Sequence, residues 1–167
     1  NDASAPRLSD PAANNPRLLT PYFAHYALDA LMDVGEADFV LQQYRHCWGW
    51  ALGGGRTTWV EVFDTRWSHC HQWAGCPTWQ LSRYLLGLRP RQDLGRRHFA
   101  LTLRPGSTQR AAGRVPAPGS GSPVEVSWER QGDTVRFRVR AREPIWLHLG
   151  DEVAEVKGRW ERVLGPR

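Results

Sequence analysis

Apolar and polar positions follow two different periods along this chain. Tyr22, Phe23, Tyr26, Ala27, Ala30 and Leu31 recur at three- and four-residue spacing, which predicts a helix with one apolar face. Thr20 is a natural N-cap and Pro21 suits the first helical turn, so the helix opens there and Gly35 closes it. A second helix is predicted from about Glu36 to Trp48, with Phe39, Val40, Tyr44, Cys47 and Trp48 turned inward. Two helices joined by a tight Gly turn make an αα-hairpin. Gly53-Gly54-Gly55 breaks the pattern, and Thr57–Asp64 reads as extended chain or loop. Pro77 opens a third helix over Thr78–Leu88, which stops at Arg89-Pro90.

From His98 onward the period changes to alternation. The runs 99–103, Val124–Arg130, Thr134–Ala141 and Ile145–Leu149 each read as a strand, with Gln131-Gly132-Asp133 as a hairpin turn between two of them. Pro116–Pro123 is a loop, and the Pro-, Ala-, Asn- and Ser-rich opening, residues 1–17, reads as linker. The expected order is therefore α then β: helices over 18–90, strands over 91–167, and a boundary near Arg91–Arg97.

Charge separates the same two halves. Residues 1–88 carry 6 basic and 8 acidic groups, whereas residues 89–167 carry 16 and 9, within a chain of 167 residues and net charge +5. Lys157 is the only lysine. Arg136, Arg138, Arg140 and Arg142 alternate with Val135, Phe137, Val139 and Ala141, which sets four guanidiniums on one strand face. A solvated outer face is the plain reading and an anion-binding surface the alternative; nucleic acid is not expected as a partner. Cys47, Cys70 and Cys76 are odd in number and fit no disulfide framework. No apolar run approaches the roughly 20 residues that span a bilayer, so no membrane role is expected. Asn1–Asn15 lacks a charged-then-apolar pattern and is not read as a signal peptide. The absence of an initiator Met suggests a chain cut or processed from a longer one.

Candidate chemistry concentrates in the middle. Six of the nine tryptophans lie between Trp48 and Trp79, interleaved with Glu61, Asp64, His69 and His71. Indole rings stack on the C–H faces of sugars, and a few convergent polar groups among aromatic walls make a ligand pocket. An aromatic-rich core between helices would explain the same residues. Glu61, flanked by Val60 and Val62, is a candidate catalytic base or a surface or paired carboxylate. Asp64 makes it a poor acid/base partner, because in extended chain the two side chains point to opposite faces. His69, Cys70, His71 and Cys76 do not match zinc-ligand spacing, and no metal or other cofactor is expected. The triple glycine lacks the Lys-Ser/Thr of a phosphate loop, and no Gly-x-Ser-x-Gly elbow occurs.

Several runs resemble bacterial α-L-rhamnosidases of glycoside hydrolase family 78. Thr20-Pro21-Tyr22-Phe23-Ala24-His25-Tyr26, followed by Leu28-Asp29-Ala30-Leu31, is similar to that family's last helical hairpin. Thr57-Thr58-Trp59-Val60-Glu61 resembles its Thr-Thr-x-Trp-Glu segment, with one extra residue between Trp and Glu. Residues 68–78 resemble its Ser-x-Cys-His-x-Trp-Ser-x-x-Pro-Thr segment, and residues 83–90 the exit of the next helix. Arg104-Pro105-Gly106 and residues 111–118 resemble the start of its C-terminal sandwich. The likeness runs over about residues 18–149 in the family's order.

The resemblance implies the last hairpins of an (α/α)6 six-hairpin barrel, followed by a small antiparallel β-sandwich. It implies inverting hydrolysis of terminal α-L-rhamnosides, with carbohydrate as partner and Glu61 as general base. His71 corresponds to a sugar-contacting histidine, and Trp59, Trp73 and Trp67 to aromatic walls of the substrate site. Nothing in the sequence matches the family's Asp-, Arg- and Glu-rich segment that supplies the general acid. The likeness also implies helix faces that an upstream barrel segment, or self-association, must cover. A non-catalytic carbohydrate-binding or structural module is the alternative.

Overall fold

A computed structural model of the protein describes residues 20–53, 55–64 and 67–165. The expected linker over residues 1–17 lies outside them, as does Gly54. The chain forms two compact units, one ending at Trp79 and the other running Gln80–Arg167.

The first unit is helical. Helix α1 (Pro21–Asp33) starts where the sequence indicates: the Thr20 hydroxyl accepts the Phe23 N–H at 3.2 Å, and Pro21 occupies the first turn. It ends as the Val34 N–H reaches Ala30 O and the Gly35 N–H reaches Met32 O, with Gly35 at φ +99°, a left-handed value that glycine adopts without strain. The buried face of α1 is not the expected one. Pro21, Ala24, Leu28 and Met32 are buried, whereas Phe23 and Tyr26 are more than half exposed and Tyr22 is exposed too. The smaller side chains at i, i+4 and i+8, not the rings, are the ones that pack closely.

The second helical run continues past its expected end. It consists of α2 (Ala37–Gln43), a π-helical turn (Tyr44–Trp48) and α3 (Gly49–Gly53). Val40, Tyr44, Cys47, Trp48 and Ala51 are buried along it, while Phe39, expected inward, is exposed. Trp48 is fixed by its indole N–H, which donates to Ala74 O at 2.7 Å, and by edge-on contacts with Tyr44 and Phe63. The third helix begins as α4 (Cys76–Gln80) and continues as a π-helical turn (Leu81–Leu85) that falls in the second unit, stopping short of the expected Leu88.

The second unit is a curled, mixed sheet of six strands: β1 (Leu88–Pro90), β2 (His98–Leu101), β3 (Arg110–Val115), β4 (Val124–Gln131), β5 (Thr134–Leu149) and β6 (Glu152–Leu164). The expected turn at Gly132 is present, with Gln131 paired to Thr134 and Gly132 at φ +58°. The two strands expected at Thr134–Ala141 and Ile145–Leu149 are one, β5, with an irregularity between Ala141 and Ile145. Pro144, which has no N–H for a ladder, sits within that irregularity. The first half of β5 bonds to β4 and its second half to β2, so β4 and β2 follow one another along one edge while β6 runs along the other. The β2–β5 pairing, Phe99 opposite Leu147, is parallel, which corrects the expectation of a wholly antiparallel sheet.

Alternation supplies the core. Phe99, Trp128, Phe137, Ile145 and Leu147 point inward with Leu88, Val124 and Val139, each large side chain contributing about 1.5–3 kcal/mol of apolar burial. The Trp128 indole donates to Leu85 O at 2.6 Å, so the end of the preceding helix is tied to the sheet. On the outer face, Arg138 meets Glu161 at 2.9 Å, Arg136 meets the same carboxylate at 3.5 Å, and Arg140 meets Glu125 at 3.6 Å. These exposed pairs fit a solvated face and are each worth about 0–1 kcal/mol. No described helix is long and apolar enough to cross a membrane.

Candidate functional site

The candidate residues lie in the first unit, on the chain between its second and third helices. Two stretches of that chain run side by side. The Glu61 N–H donates to Ser68 O at 2.9 Å, the His71 N–H donates to Trp59 O at 2.9 Å, and the Thr58 hydroxyl donates to His69 O. This short ladder sets Trp59 beside His71 and Glu61 opposite Ser68, so residues seven to twelve positions apart share one surface strip. Val60 and Phe63 anchor it from below: both are fully buried, and Phe63 packs edge-on between Trp48 and Trp50. Anchored neighbours hold the intervening side chains in place without fixing their heads.

Glu61 is half-buried, and its carboxylate makes no hydrogen bond or ion pair among the described residues. A carboxylate held at a surface without a cation keeps its acceptor capacity for water or ligand. Asp64, by contrast, is buried. His71 is half-buried at the start of a short 3-10 turn (Gln72–Ala74). Trp59 is half-buried, and its indole edge comes so close to Gly75 that a Cβ there would sit 3.4 Å from Nε1.

Trp73 is 59% exposed and meets the Tyr22 ring edge-on at 5.5 Å, while the Tyr22 and Tyr26 hydroxyls are 3.1 Å apart. Tyr22, Tyr26 and Trp73 thus form one exposed aromatic surface with hydroxyls on it, a combination that suits a sugar's C–H faces and hydroxyls. Both tyrosines fall on the apolar face expected from the helical spacing, yet they are exposed. Their signal was available: an apolar stripe of Ala24, Leu28 and Met32 already fills the buried face, leaving the rings without one. Trp67 is also exposed, next to Thr65 and Arg66, which lie outside the described residues, and no ring contact joins it to Trp73 among the described residues. Of the remaining tryptophans in the cluster, Trp48 is core, and Trp50 lies under the Arg56 guanidinium at 4.7 Å.

No set of three or more His, Cys, Asp or Glu side chains able to hold a metal occurs among the described residues. In the second unit, His98 stacks on Trp146 and shares a 3.0 Å hydrogen bond with His148. Desolvation, and then the neighbouring His98 and Arg91, holds His148 below the ordinary histidine range.

No family model matches this sequence, and no curated protein is similar enough to count as a relative. Among solved structures, the chain is similar in fold to an α-L-rhamnosidase from Dictyoglumus thermophilum, at 16% identity and a TM-score of 0.58. The match takes in 85% of this chain and spans about a fifth (20%) of the length of that enzyme. At that identity the likeness speaks for fold.

Proposed function

We propose that this chain is part of an inverting glycoside hydrolase of the α-L-rhamnosidase type, in which Glu61 is the general base. The chain would contribute closing hairpins of an (α/α)6 barrel and the β-sandwich that follows it. The observation that carries the reading is the short ladder that gathers Trp59, Glu61 and His71 onto one strip, in a chain whose fold is similar to part of a rhamnosidase.

In such a site Glu61 takes a proton from water as that water attacks the anomeric carbon, and the glycosidic C–O bond breaks. A second carboxylic acid protonates the leaving oxygen, and the two carboxyls stand roughly 6.5–9.5 Å apart to admit the water. That acid is assigned to a barrel segment not represented in these residues. His71 donates to a sugar hydroxyl, and Trp59, Trp73 and Trp67 supply aromatic walls for the sugar.

The test is a longer protein that includes the preceding hairpins, assayed on an aryl α-L-rhamnoside. Glu61→Gln should lower kcat by on the order of 10²–10⁴ with little change in fold. Undiminished turnover in that variant removes Glu61 from the mechanism.

The exposed Tyr22–Tyr26–Trp73 surface supports a second reading, a carbohydrate-binding module without turnover. Calorimetry of the chain against rhamnosides separates the two: affinity unchanged by Glu61→Ala but lost with Trp73→Ala favours the module.

A further inference from the structure

The outer face of strands β3 to β6 is ordered in rungs by the strand register. One rung reads Arg110, Glu129, Arg136, Val163; the next Ala112, Ser127, Arg138, Glu161; the third Arg114, Glu125, Arg140, Arg159. The second and third rungs line a surface groove of about 740 Å³, whose walls include Arg114, Glu125, Arg138, Arg140, Arg159 and Glu161. Where a carboxylate is present the arginines use it: Arg138 holds Glu161 at 2.9 Å, and Glu125 lies 3.6 Å from Arg140 and 4.0 Å from Arg114.

The third rung departs from this alternation. Its charges run plus, minus, plus, plus, because Arg159 stands directly opposite Arg140 where the pattern calls for an acid. Like charges facing across strands destabilise a sheet. Arg159 is exposed and has no ion pair among the described residues. A cross-strand guanidinium pair with one carboxylate too few is a place for a carboxylate from outside, since the guanidinium fork matches that group's two oxygens.

We propose that this groove binds a carbohydrate chain bearing carboxylates, a polyuronate, with Arg140 and Arg159 gripping one uronate group. The carboxylate part of this assignment rests on the ladder alone, and the carbohydrate part rests on the glycosidase reading above. Nucleic acid fits less well. Glu125 and Glu161 lie in the groove and would repel a backbone that carries a charge every ~1.7 Å of duplex axis. A polyuronate is a single chain, so it sets fewer charges per length against those two acids than a duplex with two charged strands.

The experiment is affinity electrophoresis of the full chain in gels containing polygalacturonate, neutral dextran or short duplex DNA. Retardation by polygalacturonate alone, weakening as salt shortens the screening length, is the expected result. Arg159→Glu should reduce that retardation about ten-fold, while the melting temperature holds or rises, because the substitution completes the alternation opposite Arg140. Arg159→Ala should weaken binding by a smaller factor. No retardation by polygalacturonate at low salt overturns the proposal, as does equal retardation by DNA. Full retardation of a folded Arg159→Glu variant overturns it too. The gel needs no turnover, so a chain that binds polygalacturonate but belongs to no rhamnosidase would sink only the hydrolase assignment.

Discussion

Burial pushes the Cys47 and Cys76 thiols up to about 12, with the Asp29 charge adding to the effect at Cys76, whereas Cys70 is exposed. A thiol reagent at pH 8 should therefore modify Cys70 alone in the folded protein and reach the other two only in denaturant; three fast thiols would contradict the buried placement. The same shift has a sign in stability. A folded thiol that resists ionisation leaves stability intact below the unfolded value of about 8.5, then loses it as pH rises toward 12, because the unfolded chain ionises first. At this scale the sequence was partly legible. The Thr20 cap and the Gly35 and Gly132 turns were readable because each depends on one residue's backbone or side-chain chemistry. Glu61 could be singled out as a carboxylate between apolar neighbours. Its backbone pairing with Ser68 could not, since that contact depends on the fold and not on either residue's own propensity.

Gly87 shows what an element junction demands. It has φ +81°, and a Cβ there would sit 3.0 Å from Leu103 Cβ and 3.1 Å from Leu103 Cα, so the helix exit and the chain after β2 touch at backbone distance. Gly87→Ala combines left-handed strain with that clash and should destabilise the protein by about 1–3 kcal/mol, read as a lower denaturation midpoint. An unchanged midpoint would contradict so close an approach of Gly87 to Leu103. Strands with strong alternation, β4 and β5, were legible because Val124, Val126, Trp128, Val135, Phe137 and Val139 all face one core. Strand β6 was not: only Val156 is fully buried along it, and Glu155, Lys157, Arg159 and Glu161 leave its apolar alternation weak. Charge on an outermost strand is a common guard against edge-to-edge pairing, and it erases the pattern by which strands are recognised. The aromatic face of α1 misled for the opposite reason, since rings outweigh alanine in any apolar count.

At the scale of the whole molecule, those rings remain uncovered. Tyr22, Phe23, Tyr26 and Trp73 are all exposed, a patch of the kind that drives association. The chain should therefore self-associate as concentration rises, and Phe23→Ser with Tyr26→Ser should restore a monomer in light scattering. A wild-type chain that stays monomeric at high concentration would count against an interaction face there. The other unit is organised around a single 16-residue strand whose irregularity separates Ala141 from Ile145, both buried on the same side. Parity follows from that. Removing two residues from the stretch 142–144 would leave Ile145 and Leu147 facing the interior, whereas removing one would turn both outward and undo β2 and β6 together. Length variation among natural versions of this sheet should accordingly come in even steps at that joint.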